Sequence, residues 1–305
     1  MNSQISYSRV LIQFIPIDTI ISAILYYLLG VSISRYLGNN IDWSAFIIGL
    51  FIILFLLLLN ICLFLYFKMI DFENRNNLFK RIEFELKPKQ VVITQKLFLY
   101  SSIFMMILAS FFILFLYTKI QVNILVLLFL MMFIILIIID SVPPMSFGNS
   151  SYGIMINTFC ITFLIPMTAF ILQGNELHRL VLYICLPLFF IFFSMKTIVS
   201  IKNFGLDSKY DIKSFSTTLG WEKSINIHNF LMILGYLLLG SNIFLDIPSR
   251  IILPGMITLP IGIFQIIYLN QIVGGQKPNW QILNILSIAT ALITPYLITY
   301  ALWIG

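Results

Sequence analysis

The feature that most constrains this chain is a series of long apolar runs separated by short polar breaks. A helix needs about 20 apolar residues to cross the hydrocarbon core of a bilayer. Nine segments meet this length, at 10–34, 44–67, 97–118, 121–140, 152–173, 179–201, 226–245, 249–270 and 281–303. The break between the third and fourth is the weakest, because only Lys119 and its neighbours interrupt the apolar run. The sequence therefore predicts an all-α polytopic membrane protein with about nine transmembrane helices.

Composition supports a membrane protein and disfavours a nucleic-acid partner. Hydrophobic residues make up 60% of the 305 residues and charged residues only 10%, which is too little charge to cover a soluble domain of this length. The net charge of +6 is modest and lies beside the apolar runs. It favours anionic lipid headgroups or a phosphorylated substrate over nucleic acid. No linker divides the chain, so we expect one integral membrane domain over residues 1–305.

The distribution of Lys and Arg predicts the orientation. With the N-terminus inside, fourteen of the 18 positive residues lie on the inner side, and four lie outside, at Arg35, Lys119, Arg179 and Arg250. Cytoplasmic segments of membrane proteins are enriched in positive residues. We therefore expect the N-terminus inside, in a bacterial cytoplasmic membrane. Two inner loops, 68–96 and 202–225, contain most of the ionisable groups and would face the cytoplasm.

The clearer candidate site lies in the second of these loops. Asn203, Asp207 and Asp211 recur every four residues, so they share one face if the sixth helix continues past the membrane. Oxygen ligands at this spacing suit Mg²⁺, which prefers carboxylates, waters and substrate phosphates. Lys196, Lys202 and Lys209 are close enough in sequence to meet a diphosphate directly. A solvated loop that only fixes topology is the alternative for any single residue, but the combination at the end of a membrane helix favours a functional site.

The first inner loop contains a weaker candidate for a metal site. Asp71 and Glu73 are two residues apart, so on a helix their side chains diverge by about 200°. Asp71 shares a face better with Asn74 or Arg75. Lys68 precedes them at the end of the second apolar segment. As an isolated motif this loop would indicate little.

The order of features around the second loop resembles the UbiA superfamily of intramembrane prenyltransferases. Members have an Asp-rich motif after the second helix and another after the sixth, commonly Asn-Asn-x-Arg-Asp-x-x-x-Asp, followed by Gly-x-x-Thr-Leu and a closing Gly. Aligned without gaps, Lys202 takes the place of the Arg, Asn203 of the first Asp and Asp207 of the second. Ser214-Phe215 then stands for Thr-Leu, and Gly220 closes the motif.

Two further stretches resemble the family, with some departures. Asp140-Ser141-Val142-Pro143-Pro144, followed by Tyr152-Gly153, occupies the place of a Tyr-Ser-x-Pro-Pro motif and a Gly-led helix, with Asp140 in place of the Tyr. Lys87-Pro88 through Ile93-Thr94 resembles an Arg-Pro…Ile-Ser stretch. The family's first motif is usually Asn-Asp-x-x-Asp, of which Asp71 is retained.

The resemblance implies nine helices around a central cavity and Mg²⁺-dependent transfer of an isoprenyl group from its diphosphate to a small-molecule acceptor, aromatic or a quinone precursor. The implied catalytic residues are Asp71, Asp207 and Asp211, which with Asn203 would also bind the metal. The implied substrate-binding residues are Lys68, Glu73, Asn74, Arg75, Asp140, Asn157, Lys196, Lys202 and Asn203. The prenyl chain would lie along apolar helix walls that open sideways to membrane lipid.

Three other interpretations stay open at this point. The altered motifs are also compatible with a UbiA-type terpene cyclase, which needs no acceptor, or with a degenerate paralogue. Nine spans with an inner cluster of charges would also fit an anion transporter. Among the remaining polar residues, Asp18 is a candidate to face the cavity, because an intramembrane carboxylate is a functional hypothesis by default. Neither His178 nor His228 has a partner at ligand spacing, and both are expected at the membrane interface.

Overall fold

The structure is a computed structural model. The part of the chain that it describes contains nine long apolar helices. The described residues are 16–74, 88–120, 122–174, 176–209, 212–245 and 247–304. The helices are α1 (Ile17–Tyr36), α2 (Trp43–Asn74), α3 (Pro88–Phe115, continued by a π-helical turn Leu116–Ile120), α4 (Ile124–Ser141), α5 (Gly153–Gly174), α6 (Arg179–Lys209), α7 (Trp221–Leu245), α8 (Ser249–Val273) and α9 (Trp280–Ile304). The all-helical membrane fold and the count of nine are confirmed within these ranges.

Three helices, α2, α3 and α6, are much longer than their apolar segments. With 32 residues in α2 and 31 in α6, each of these two is about 47 Å long at 1.5 Å per residue, against about 30 Å for the hydrocarbon core. The inner segments predicted over 68–96 and 202–225 are partly helical, because 68–74, 88–96, 202–209, 215–219 and 221–225 lie in helices. Hydropathy marks where a helix meets lipid, whereas helical hydrogen bonding continues into polar sequence beyond it.

Side-chain contacts show that successive helices run in opposite directions. Asp18, in the first turn of α1, pairs with Lys196 in the C-terminal half of α6. At the other side, Arg35 in the last turn of α1 lies 4.0 Å above the ring of Trp303 at the end of α9. The C-terminal ends of α2, α4 and α6 therefore share one side with the start of α1. We call this side the charged face.

The opposite side contains the connection between α1 and α2, which is fixed by a capping residue. The Asp42 carboxylate accepts hydrogen bonds from the backbone N–H groups of Ser44, at 2.9 Å, and Ala45, at 3.2 Å. A hydrogen bond from the Ser44 hydroxyl is the main cause that holds the pKa of Asp42 below its ordinary value. A side chain that satisfies the first N–H groups of a helix explains why α2 begins here.

The buried core draws residues from all nine helices. Tyr26 and Tyr27 of α1 are fully buried at its centre, and the ring of Tyr26 meets that of Phe192 in α6 edge-on at 5.9 Å. In the most apolar part of α6, 72% of the residues are buried, whereas in the corresponding part of α3 only 17% are buried. Thus α6 lies inside the bundle while α3 presents most of its surface to lipid.

Candidate functional site

One face of α6 changes from aromatic to polar along its length. The side chains that form this face point within about 40° of a common direction and extend over about 27 Å of the helix. The side chains on this face are Phe189, Phe193, Lys196, Ser200, Asn203 and Asp207. All are partly exposed except Ser200 and Asp207, which are 6% and 4% exposed. The face therefore combines an apolar wall within the membrane with a cation, an amide and a carboxylate toward the charged face.

The aromatic part of this wall is a continuous row of phenylalanine rings. The ring of Phe193 lies 5.9 Å from that of Phe189 and 5.7 Å from that of Phe215. From Phe189 the row crosses to α5, with 5.7 Å to Phe163 and a further 5.4 Å to Phe159. These centroid distances are within the range of favourable aromatic contact.

An apolar cavity of about 380 Å³ opens beside this row, between α4, α5 and α6. It is lined by Leu136, Phe147, Tyr152, Met155, Ile156, Phe159 and Phe189. A π-helical turn, Cys160–Leu164, interrupts α5 next to the cavity. Such turns are frequent at functional sites, because they change which side chains a helix presents. The cavity can hold an apolar chain and offers little to a polar ligand.

Lys196 lies where the aromatic and polar parts of the face meet. Its ammonium donates to Asp18 Oδ2 at 3.2 Å and to Thr19 Oγ1 at 3.0 Å. It also lies 5.3 Å from the centroid of the Phe192 ring, within the range of a cation–π contact. Three contacts to two helices hold the ammonium in place on the α6 face.

The chain that follows Asp207 returns to pack against α6. The Asp207 carbonyl accepts from the Ile212 N–H at 2.9 Å. Further on, Ser216 donates from its hydroxyl to the Ser200 carbonyl at 2.8 Å and from its N–H to the Ser200 hydroxyl at 3.0 Å. The short helix Phe215–Leu219 is thereby fixed on α6 next to the buried carboxylate.

The residues matched to Thr-Leu and the closing Gly have clear local roles. Ser214 caps the short helix in a reciprocal pair with Thr217, whose hydroxyl accepts from the Ser214 N–H at 2.8 Å. Gly220 ends that helix and begins α7 with φ of 91°. This left-handed conformation favours glycine, which explains a Gly at the junction.

Asp140 lies at the end of α4, away from the α6 face. It is 7% exposed, and its Oδ2 accepts from Asn60 of α2 at 3.4 Å. Ser141 donates to the side-chain oxygen of the same Asn60 at 2.7 Å. Within the described residues, Asp140 Oδ1 has no hydrogen-bond partner. Because a buried polar atom is costly when unpaired, this oxygen is a candidate to meet a bound molecule.

Several predicted site residues cannot be placed by their side chains. Asp71, Glu73 and Asn74 lie on the last turns of α2, where only the backbone is described. The backbone at these three positions is helical. Arg75 and Asp211 lie outside the described residues.

The remaining predicted residues are scattered. Lys68 lies in α2 with its ammonium 5.2 Å from the centroid of the Phe64 ring. Asn157 is half-buried in α5. Lys202 is exposed, and its helical position turns it away from the face with Lys196. Of the predicted set, the structure therefore brings Lys196, Asn203 and Asp207 onto one face.

Sequence reasoning missed two features. It named Asp18 as a carboxylate in the membrane, but not its ion pair with Lys196, which is 178 positions away. It also did not indicate that His228 is buried, with a side chain that is 0% exposed and an Nδ1 that lies 3.1 Å from Asn229 Oδ1. Because α7 starts at Trp221 rather than 226, His228 lies two turns inside the helix.

The donor set suits an open metal site rather than a closed one. Among the described side chains, no three His, Cys, Asp or Glu residues converge. Asp207 and Asn203 provide one carboxylate and one amide oxygen, one turn apart on α6. Mg²⁺ keeps several waters and is often bound by one or two carboxylates together with substrate phosphates, so these two residues fit it when a diphosphate is present.

Comparison with known proteins identifies the fold. No protein-family model and no curated protein matches the sequence. Five chains of solved structures match. A UbiA homolog from Aeropyrum pernix K1 is 12% identical, with 94% of this chain and 98% of that chain covered and a TM-score of 0.58. A UbiA homolog from Archaeoglobus fulgidus bound to DMAPP and Mg²⁺ is 14% identical, with 91% and 96% covered and a TM-score of 0.58.

A third match is a structure presented as insights into digeranylgeranylglyceryl phosphate synthase in membranes. It is 14% identical, with 94% of this chain and 92% of that chain covered and a TM-score of 0.57. At such identities the likeness establishes the fold alone. The expected resemblance to the UbiA superfamily is confirmed at that level, over nearly the whole chain.

Proposed function

Because the chain has the fold of UbiA homologues, we propose that it is an intramembrane prenyltransferase that moves an isoprenyl group from its diphosphate to a small-molecule acceptor. The observation that supports this most is the α6 face, which is aromatic within the membrane and polar toward the charged face. An isoprenyl diphosphate has the same division into an apolar tail and an anionic head. The Archaeoglobus fulgidus homologues bound to DMAPP or GPP with Mg²⁺ support this substrate class.

The polar end of the α6 face is proposed to bind the diphosphate. Lys196 would donate to a diphosphate oxygen, and this contact strengthens as negative charge develops on the leaving group. Asp207 and Asn203 would hold Mg²⁺, with Asp71 and Asp211 as further proposed ligands. When bound, Mg²⁺ neutralises the departing diphosphate as a Lewis acid.

The aromatic end is proposed to bind the prenyl chain. Phe193 lies one turn from Lys196, so the reacting carbon would lie between the ammonium and this ring. Aromatic faces attract positive charge and thereby stabilise an allylic cation. The apolar lining of the cavity beside Phe189 and Phe159 would disfavour water, which could otherwise capture the cation.

The acceptor is proposed to lie on the α4 and α5 side of the site. Within the described residues Asp140 Oδ1 has no hydrogen-bond partner, and Asn157 is half-buried on α5. Both could orient a polar group of an aromatic acceptor or a quinone precursor. The residues proposed to complete the diphosphate site from the end of α2 are Lys68, Glu73, Asn74 and Arg75.

The setting is proposed to be one membrane domain over residues 1–305 in a bacterial cytoplasmic membrane. A buried cluster that draws on all nine helices supports a single domain. The concentration of Lys and Arg on the charged face supports placing that face, and the site, toward the cytoplasm.

An assay of diphosphate release tests this proposal. Purified protein in lipid nanodiscs is incubated with Mg²⁺ and donors from geranyl to geranylgeranyl diphosphate, with and without aromatic acceptors. Release that depends on an acceptor is the expected result. Release without any acceptor would indicate the cyclase alternative. If no donor releases diphosphate, the enzyme proposal fails in favour of the transporter or the inactive paralogue.

A further inference from the structure

The pair formed by Asp18 and Lys196 places a carboxylate where the proposed diphosphate would bind. Lys196 Nζ lies 3.2 Å from Asp18 Oδ2, and the side chains are 15% and 27% exposed, respectively. Lys196 shares the α6 face with Phe193 above it and Asn203 below it. The pair is therefore partly accessible, at the boundary between the apolar and polar parts of the face.

Asp18 offsets the charge of Lys196. An ammonium has three N–H donors, and Asp18 and Thr19 accept two of them. Within the described residues these are its two hydrogen-bond acceptors, and a diphosphate oxygen that took the third donor would also approach the Asp18 carboxylate. Asp18 lies in the first turn of α1, where the helix N-terminus favours a negative side chain. Its backbone is part of the helix, so it cannot withdraw far.

We propose that Asp18 is a specificity-determining residue that makes the site reject a metal-free diphosphate and accept the Mg²⁺ complex. This inference rests on the proposed function. A bare diphosphate would be repelled by Asp18 while gaining a single partly neutralised ammonium. With Mg²⁺ bound, the diphosphate has lost most of its net charge, and the repulsion from one carboxylate becomes small. Anionic lipid headgroups and free phosphates near the membrane would be excluded in the same way.

A purely structural role for the pair makes a different prediction. If Asp18 only joins α1 to α6, its removal should weaken the fold and leave the metal dependence of anion binding unchanged. Thr19→Val provides the matched control, because it removes the other hydrogen bond to Lys196 and keeps the Asp18 charge.

The experiment measures the binding of radiolabelled inorganic pyrophosphate by equilibrium dialysis, with Mg²⁺ or with EDTA. Wild type and Thr19→Val should bind with Mg²⁺ and at least about tenfold more weakly in EDTA. Asp18→Asn keeps a hydrogen-bond acceptor for Lys196 and should bind at least about tenfold more tightly than wild type in EDTA, with little change in Mg²⁺. Asp18→Ser also removes the carboxylate charge and should bind pyrophosphate as Asp18→Asn does, both in EDTA and in Mg²⁺.

The double variant Asp18→Asn/Lys196→Met should not bind pyrophosphate more tightly than wild type in EDTA, because the Lys196 ammonium that binds it is then missing. The inference is overturned if wild type binds equally in Mg²⁺ and EDTA, or if the Asp18 variants bind like wild type in EDTA. It is also overturned if the gain persists without Lys196. Failure of wild type to bind in Mg²⁺ is a separate result, because it contradicts the proposed function itself and this inference with it.

Discussion

Among single residues, Asp207 has the most direct role in the proposed chemistry. It is a carboxylate buried at the polar end of the α6 face. We expect Asp207→Asn to lower the rate of Mg²⁺-dependent diphosphate release by about 100-fold or more, because the variant removes a charged metal ligand. Steady-state kinetics on the purified variant measures this.

Glu222→Gln is the matched control for Asp207→Asn. Glu222 is an exposed acid at the start of α7 on the charged face of the molecule, so its replacement should leave the rate within about twofold of wild type. Equal rates for Asp207→Asn and wild type would show that Asp207 is not part of the proposed metal site.

Two glycines near the site give a test of backbone conformation. Gly220→Ala should lower the free energy of unfolding by about 1–2 kcal/mol, because φ of 91° is unfavourable for an L side chain although no atom lies within 4 Å of the added methyl group. Gly205 lies inside α6, and no atom lies within 4 Å of a methyl group added there. Gly205→Ala should therefore raise the free energy of unfolding by up to about 1 kcal/mol. Thermal unfolding in detergent compares them, and similar shifts for both would contradict the assigned conformations.

Residue-level prediction succeeded where the chemistry is local. The four-residue spacing of Asn203 and Asp207 was sufficient to place both on one face once the helix continued to Lys209. It failed for the partner of Lys196, because an ion pair between residues so far apart in sequence depends on how α1 and α6 pack. Lys202 turns away because six residues along a helix place it about 120° from Lys196, which the spacing alone predicts once the helix continues to Lys209.

Among the elements, α6 is proposed to separate the prenyl chain from the diphosphate. Phe193→Ala should therefore raise the KM for geranyl diphosphate by about tenfold through lost apolar contact, while inorganic pyrophosphate binds as in wild type. Phe244→Ala is the control, because this ring is 87% exposed at the opposite side of the membrane and should have no effect. A weaker affinity for pyrophosphate in Phe193→Ala would show that the ring supports the polar end instead.

The apolar segments located the membrane part of each helix but not its ends. The predictions for α5, α8 and α9 agree with the structure to within a few residues, since polar or turn residues follow the apolar run closely. In α2 and α6 the helix continues through charged sequence, which no hydropathy threshold detects. The short helix after α6 had a signal in its Ser214 cap, but its five residues are too few to form a clear apolar pattern.

For the whole molecule, the orientation of the charged face is testable by cysteine labelling in intact cells. Ser208→Cys lies at the exposed end of α6 on the charged face, and Ser249→Cys lies at the exposed start of α8 on the other side. We expect a membrane-impermeant maleimide to label Ser249→Cys from outside and Ser208→Cys only after permeabilisation. The reverse pattern would invert the topology.

The native cysteines should interfere little with this measurement. Cys160 and Cys185 are buried and Cys62 is half-buried, all within membrane helices. The unmodified chain is the control for background labelling.

The fold of the whole molecule could be predicted from sequence because membrane topology depends on a few coarse properties. The order of nine apolar runs and the asymmetry of positive charge are present in this sequence, and UbiA homologues that are only 12–14% identical to it have the same fold. The site depends on particular side chains, and two of its expected carboxylates, Asp71 and Asp211, lie outside the described side chains.

The most direct test of the central proposal is an experimental structure with geranyl diphosphate and Mn²⁺ in place of Mg²⁺. We expect the metal and diphosphate beside Asn203 and Asp207 with Lys196 in contact, and the prenyl chain against Phe193 and Phe189. The proposal is contradicted if the ligand lies elsewhere, for example in the apolar groove of about 640 Å³ between α7 and α8, or if the metal binds away from Asp207.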